Sequence, residues 1–131
     1  RVYGWIDDEK REARMQAINE WETNLMKDNN TTVLKFYMHI SPERQKEKLQ
    51  ERIDDIRKQW KHNPDDWKER ELWGDYARAY EYAINESVIP WIIAPVDQRW
   101  YRDYFIAGKV LETLEKLDPQ LPTIASMTKK G

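Results

Sequence analysis

The chain has 131 residues, a formal net charge of −2, 40% hydrophobic and 35% charged residues, and seven Trp. That length allows one domain or part of one, and the near-balanced charge argues against the bulk cationic field that leads non-specific nucleic-acid binding. The absence of Cys excludes a disulfide framework, thiolate catalysis and Cys-ligated zinc, while no apolar run approaches a membrane span and the N-terminus is not a signal peptide, so a cytoplasmic protein is expected.

Arg1-Val2-Tyr3 is a short β-leaning fragment that runs into Gly4. From Asp7 to about Met26 the spacing predicts an amphipathic helix with Met15, Ile18, Trp21 and Leu25 on its inner face, ended by Asp28-Asn29-Asn30. Thr31 to Ile40 is the clearest strand, nearly continuous in apolar and β-branched character as a buried parallel strand should be. Leu34, Phe36, Met38 and Ile40 share one face of it, Lys35, Tyr37 and His39 the other. His39 has no Cys and no acidic partner at ligand spacing, so it is read as structural.

Ser41-Pro42-Glu43 then starts a helix with an N-cap Ser, Pro at the first helical position and an early acid. Leu49, Ile53, Ile56 and Trp60 give it an apolar edge, and Arg44, Lys48 and Arg52 stack four apart on another face, followed by Lys58 and Lys61. Cations on a helix that stops abruptly suit a movable cover for a polyanionic phosphate chain. The same residues also fit an ordinary solvated helix, because residues 41–70 hold nine Lys/Arg against eight Asp/Glu and pairs such as Asp54 with Lys58 fall four apart. The pattern leaves both readings open.

Asn63-Pro64-Asp65 breaks the chain, and Asp65 or Asp66 caps a helix expected to reach about Glu86 with Trp73, Tyr76, Tyr80 and Ile84 buried. Arg70 and Arg78 lie elsewhere on that helix, within possible reach of a phosphate. Pro90 to Pro95 is a second short buried strand. Asp97, just beyond its C-terminal end, suits either a nucleotide contact, since ligands bind outside the carboxyl ends of strands, or an N-cap for the last helix. That helix runs from about Gln98 to Leu117 with Tyr104, Ala107, Leu111 and Leu114 turned inward, and residues 120–131 form a tail. Strands alternating with helices imply βαβ crossovers, an α/β fold with a parallel sheet. None of the four glycines lies in a GxxxxGK arrangement, and no Asp-Arg-Ser follows a strand.

The string ERIDD-x-x-KQWK-x-NPDDWKERELW-x-DY (Glu51 to Tyr76) resembles the lid region of the polyphosphate kinase type 2 family. VLKFYMHIS (Val33 to Ser41), PWII-x-P-x-D (Pro90 to Asp97), WYR (Trp100 to Arg102) and VLETLEKLDP (Val110 to Pro119) are further matches in the family's order. The resemblance implies a P-loop-kinase-like three-layer αβα fold of which residues 1–131 are the C-terminal part, with a lid over about 41–86. It implies phosphoryl transfer between polyphosphate and ADP or AMP, giving ATP or ADP, with Mg²⁺ and with the phosphate-loop half of a homo-oligomeric enzyme as partners. The family's lid pattern points to Arg52, Lys58 and Lys61 for phosphate binding, and Arg1 matches an arginine beside the family's second motif. Arg70 and Asp97 are the other expected phosphate or nucleotide contacts, no metal ligand is expected in this chain, and Trp60 and Trp73 are expected to pack the lid. Ile56 replaces a frequent Pro, which suggests a lid helix that ends later, and Val96 and Arg99 replace a common Ala and Lys. A nucleotide kinase of similar fold with another donor, and a non-catalytic helical interaction module, are the alternatives.

Overall fold

Two parallel strands, β1 (Lys35–His39) and β2 (Trp91–Pro95), pair in register from Lys35 opposite Trp91 to His39 opposite Pro95. Around them the computed structural model, which describes residues 2–122, sets α1 (Asp8–Asp28), α2 (Pro42–Asp54), a 3₁₀ turn at Gln59–Lys61, α3 (Asp65–Glu71), α4 (Trp73–Asn85) and α5 (Arg99–Leu117). Arg1 and residues 123–131 of the expected tail lie outside the described residues. Both strands and the crossovers follow the predicted order, although β1 is shorter than Thr31 to Ile40.

α1 starts where the Asp7 carboxylate accepts from the Lys10 N–H at 2.8 Å, with Asp8 and Glu9 in the first turn and Lys27 in the last to match the helix dipole. It ends at Asn29 and Asn30, the latter in the left-handed region (φ 51°) that Asn tolerates. Its inner face is not the apolar row expected from the spacing. Glu22 is buried, Met15 and Asn19 are half-buried, and Ile18 and Trp21 are exposed.

The reason is a polar network beneath the sheet. The Lys35 side chain is 9% exposed, and its ammonium donates to Glu22 at 2.8 Å and to the Ser87 hydroxyl at 3.1 Å and sits 4.7 Å over the Trp91 ring. Ser87 also accepts from the Trp91 indole N–H at 2.8 Å and donates to the Ala83 carbonyl at 2.7 Å. Four segments thereby meet on one buried charge pair. Each of its members is costly to leave unpaired. The Asn19 amide adds a clamp, donating to the Glu86 carbonyl at 2.8 Å and accepting from the Val88 N–H at 3.1 Å.

Tyr37, two residues from Lys35 and so on the same face of β1, lies with its ring 4.9 Å from that of Tyr80 on α4. α1 and α4 therefore cover one face of the sheet, and α5 contacts β2, in which Ala94 is fully buried. α5 presents Arg102, Phe105, Ile106, Lys109, Glu112 and Thr113 as its less exposed residues, whereas Tyr104, Ala107, Leu111 and Leu114, expected inside, are exposed. Of the four α4 residues expected to be buried, Trp73, Tyr76 and Ile84 are half-buried and Tyr80 is exposed, and the single helix expected up to Glu86 is two, interrupted at Leu72. There the N–H of Leu72 turns back to the Glu69 carbonyl at 3.1 Å, a 3₁₀-type closure of α3. No helix among the described residues is long and apolar enough to cross a membrane.

Candidate functional site: a cation-bearing helix at the strand ends

α2 leaves the C-terminal end of β1, where ligand sites of α/β sheets collect. Its start follows from local sequence. Ser41 is extended (φ −71°, ψ 150°), its hydroxyl accepts from the Arg44 N–H at 3.2 Å, and Pro42 opens the helix where its missing N–H costs nothing. The Ser41 backbone N–H donates to an Asp97 carboxylate oxygen at 2.8 Å, and Arg44 Nε donates to the Asp97 carbonyl at 3.1 Å. From α3, Arg70 Nη1 donates to the Pro42 carbonyl at 2.9 Å and to Gln45 Oε1 at 2.6 Å.

Asp97 therefore does not cap the last helix, whose N-cap is Gln98 without a side-chain bond. An Asp beyond a strand looks the same in sequence whether it caps its own helix or accepts from another segment. Its carboxyl is held below the usual carboxylate range, first by the Ser41 backbone bond, with help from nearby His39 and Arg44.

The C-terminal end of α2 and the turn beyond it carry the cations expected to bind phosphate. α2 stops at Asp54, and the Asp55 N–H closes on the Glu51 carbonyl, so Ile56 lies beyond the helix and does not lengthen it. Asp55 accepts from the Arg57 N–H at 3.1 Å and from its guanidinium Nε at 3.0 Å, and these bonds lower its pKa. Gln59 Nε2 donates to the Ile53 carbonyl at 2.9 Å and fastens the 3₁₀ turn to the helix end.

Lys58 stands between Glu51 at 3.4 Å and Asp55 at 3.5 Å; the expected partner Asp54 is bonded by Gln50 at 2.9 Å instead. Glu51 is held ionised chiefly by Lys48, at 3.1 Å, and then by Lys58. Arg52 reaches Asp66 on α3 at 2.7 Å through one nitrogen. Lys61 lies 4.9 Å over the ring of Trp60. Trp60 is 78% and Ile56 80% exposed, so of the expected apolar edge only Leu49 is buried and Trp60 does not pack the lid.

These ion pairs are one-third exposed or more on at least one side, a setting in which a pair contributes only about 0–1 kcal/mol. Arg52 thus lies in the last turn of α2, Lys58 and Lys61 in the turn that follows it, each with its own partner, while Arg70 and Asp97 hold the start of α2; Arg1 is outside the described residues.

Between the base of the lid and the sheet, a cleft of about 410 Å³ opens beside Tyr37, His39, Gln45, Trp73 and Tyr76. At its edge Glu69 accepts from the Tyr76 hydroxyl at 2.8 Å and from Tyr3, and the two hydroxyls lie 2.9 Å apart. Both tyrosines hold the Glu69 carboxyl below its ordinary range, and Glu69 raises the Tyr3 hydroxyl. This junction ties the first described residues to the rear of the lid. Sequence reasoning missed it, having no periodic signal that pairs positions 3 and 69. Among the described residues no three His, Cys, Asp or Glu side chains gather as metal ligands would, so no step is assigned through Mg²⁺.

The polyphosphate kinase 2 family model matches residues 1–122. The chain belongs to that family. The AMP/ADP-polyphosphate phosphotransferase of Meiothermus ruber is 37% identical over 133 residues, covering 99% of this chain and 49% of that relative. The ADP-polyphosphate phosphotransferase of Rhodopseudomonas palustris is 31% identical over 120 residues, 89% of this chain and 41% of its own length. An uncharacterized protein encoded in the chlN 3′ region of Leptolyngbya boryana, 34% identical, is covered over 87% of its length. Polyphosphate kinase 2 of Arthrobacter aurescens TC1 superposes with a TM-score of 0.89 at 35% identity, covering 94% of this chain and 44% of that one. The chain thus spans less than half the length of these two phosphotransferases. Its α/β fold with parallel strands is the P-loop-kinase-like fold of that family.

Proposed function

We propose that residues 1–131 form the lid-bearing part of an enzyme that transfers phosphoryl groups between polyphosphate and ADP or AMP. The observation that carries this reading is the lid itself. A 13-residue helix rises from the C-terminal end of a parallel strand and brings Arg52, Lys58 and Lys61 to its outer end on weak, exchangeable partners. Family membership and the names of the relatives support the substrate class.

In this reading polyphosphate displaces Asp66 from Arg52 and Glu51 and Asp55 from Lys58. The freed cations stabilise charge on the transferring group as water is excluded. In-line phosphoryl transfer asks little covalent chemistry of the protein, so positioning and electrostatics suffice for this part of the site. The phosphate loop belongs to another part of the enzyme, because these 131 residues contain no GxxxxGK. Mg²⁺ remains an implication of the family, with ligands outside the described residues, and a cytoplasmic, homo-oligomeric enzyme completes the proposal.

A donor screen on the full-length polypeptide tests it. ATP formed from ADP with polyphosphate as donor is the expected result. Nucleotide phosphorylation from ATP alone, with polyphosphate inert, would favour a kinase with another donor, and no transfer from either would favour an interaction module.

A further inference from the structure

Asp97 follows directly on the sheet ladder. The Val96 N–H, one residue earlier, donates to the His39 carbonyl at 3.0 Å and extends the parallel ladder past the end of β2. From that fixed point Asp97 grips the lid twice, its carboxylate accepting from the Ser41 N–H and its carbonyl from Arg44. The gripped groups are the N-cap of α2 and a side chain of its first turn. On the other side Arg70 holds Pro42 and Gln45. The helix base is thus clasped between β2 and α3, while its far end is held by exposed ion pairs.

We propose that Asp97 is the positioning residue of this hinge, setting the direction of α2 through the Ser41 amide, rather than a contact for nucleotide. Leverage makes the bond matter. A helix of 13 residues is about 20 Å long, so a tilt of about 10° at its base carries its tip about 3 Å, a full hydrogen-bond length. Displacements of about 1 Å from productive geometry can cost about 100-fold in rate. Loss of the Asp97 acceptor therefore reaches Arg52 and Lys58 without touching either.

Asp97→Asn, Asp97→Glu and Asp97→Ala in the full-length polypeptide separate positioning from ligand contact. Asn keeps a carbonyl oxygen where the Ser41 N–H points but loses the charge; Glu keeps the charge and misplaces the acceptor. Two readouts are needed: kcat/KM for ATP formation from ADP and polyphosphate, and amide hydrogen exchange over residues 41–47. The expected order is Asn within about three-fold of the parent, with Glu and Ala about ten-fold or more below it and faster exchange in 41–47. Should Ala fail to fold, the order of Asn against Glu still decides. Asn as impaired as Ala with exchange unchanged would make Asp97 a direct ligand, and three variants equal to the parent would remove it from the hinge; either overturns the proposal. The kinetic arm rests on the phosphotransfer reading, but the exchange arm needs no substrate, so a polypeptide inert towards polyphosphate still tests the hinge.

Discussion

Lys58 sits between two carboxylates more than 3 Å away on a half-exposed surface, an arrangement that contributes little to folding. If its use is to meet phosphate, activity and stability should separate on its removal. Lys58→Ala in the full-length enzyme should lower kcat/KM for ATP formation from ADP and polyphosphate about ten-fold or more while moving Tm by no more than about 2 °C. Steady-state kinetics beside a thermal melt checks both. Lys35 is the reverse case. Its ammonium is buried against Glu22, and Lys35→Ala leaves that carboxylate without its partner, so unfolding free energy should fall by about 3–5 kcal/mol in a denaturant titration.

Among the elements, α5 offers a pH test. Lys116 at 2.7 Å and Lys109 at 3.0 Å push the Glu112 carboxyl down to about 2. A pKa depressed in the folded state gives stability that is fully present above the unfolded value of about 4.3 and is lost as pH falls through the folded one. The Tm gap between parent and Glu112→Gln should therefore be small but constant from pH 7 to 5 and close between about pH 4 and 2, and added salt should shrink it. A gap that widens on acidification would contradict the pairing. Periodicity and capping made β2, the start of α2 and the bounds of α5 legible, because Ser-Pro-Glu, a Pro-bounded apolar run and Asp118-Pro119 act locally. The inner face of α1 was not legible, since Glu22 is buried only by virtue of Lys35, thirteen residues on and in another element. Nor was the break at Leu72, where no Pro or cap residue marks the boundary and the 3₁₀-type closure alone interrupts the helix. Arg52, Lys58 and Lys61 could be placed on α2 and the following turn from spacing, but the partner of Arg52, Asp66 on α3, could not.

Over the whole molecule, apolar surface is the dominant unsatisfied feature. Only Leu49, Ile89 and Ala94 are buried hydrophobics among the described residues, whereas Trp21, Trp60, Trp100 and Tyr104 are exposed. Two paired strands with open edges, and an α5 whose Tyr104, Leu111 and Leu114 face outward, are surfaces that call for a covering partner. In the proposed enzyme the phosphate-loop part covers them. The 131-residue chain produced alone should self-associate and bind a hydrophobic dye, and co-production with a phosphate-loop segment should abolish both; size-exclusion chromatography with dye fluorescence reads the outcome.

The most direct measurement is the rate of ATP formation from ADP and polyphosphate by the full-length polypeptide with Arg52, Lys58 and Lys61 all replaced by Ala. A fall of about 100-fold or more in kcat/KM with an unchanged Tm is the expected result. Turnover equal to the parent would contradict the assignment of the lid cations to the phosphate chain.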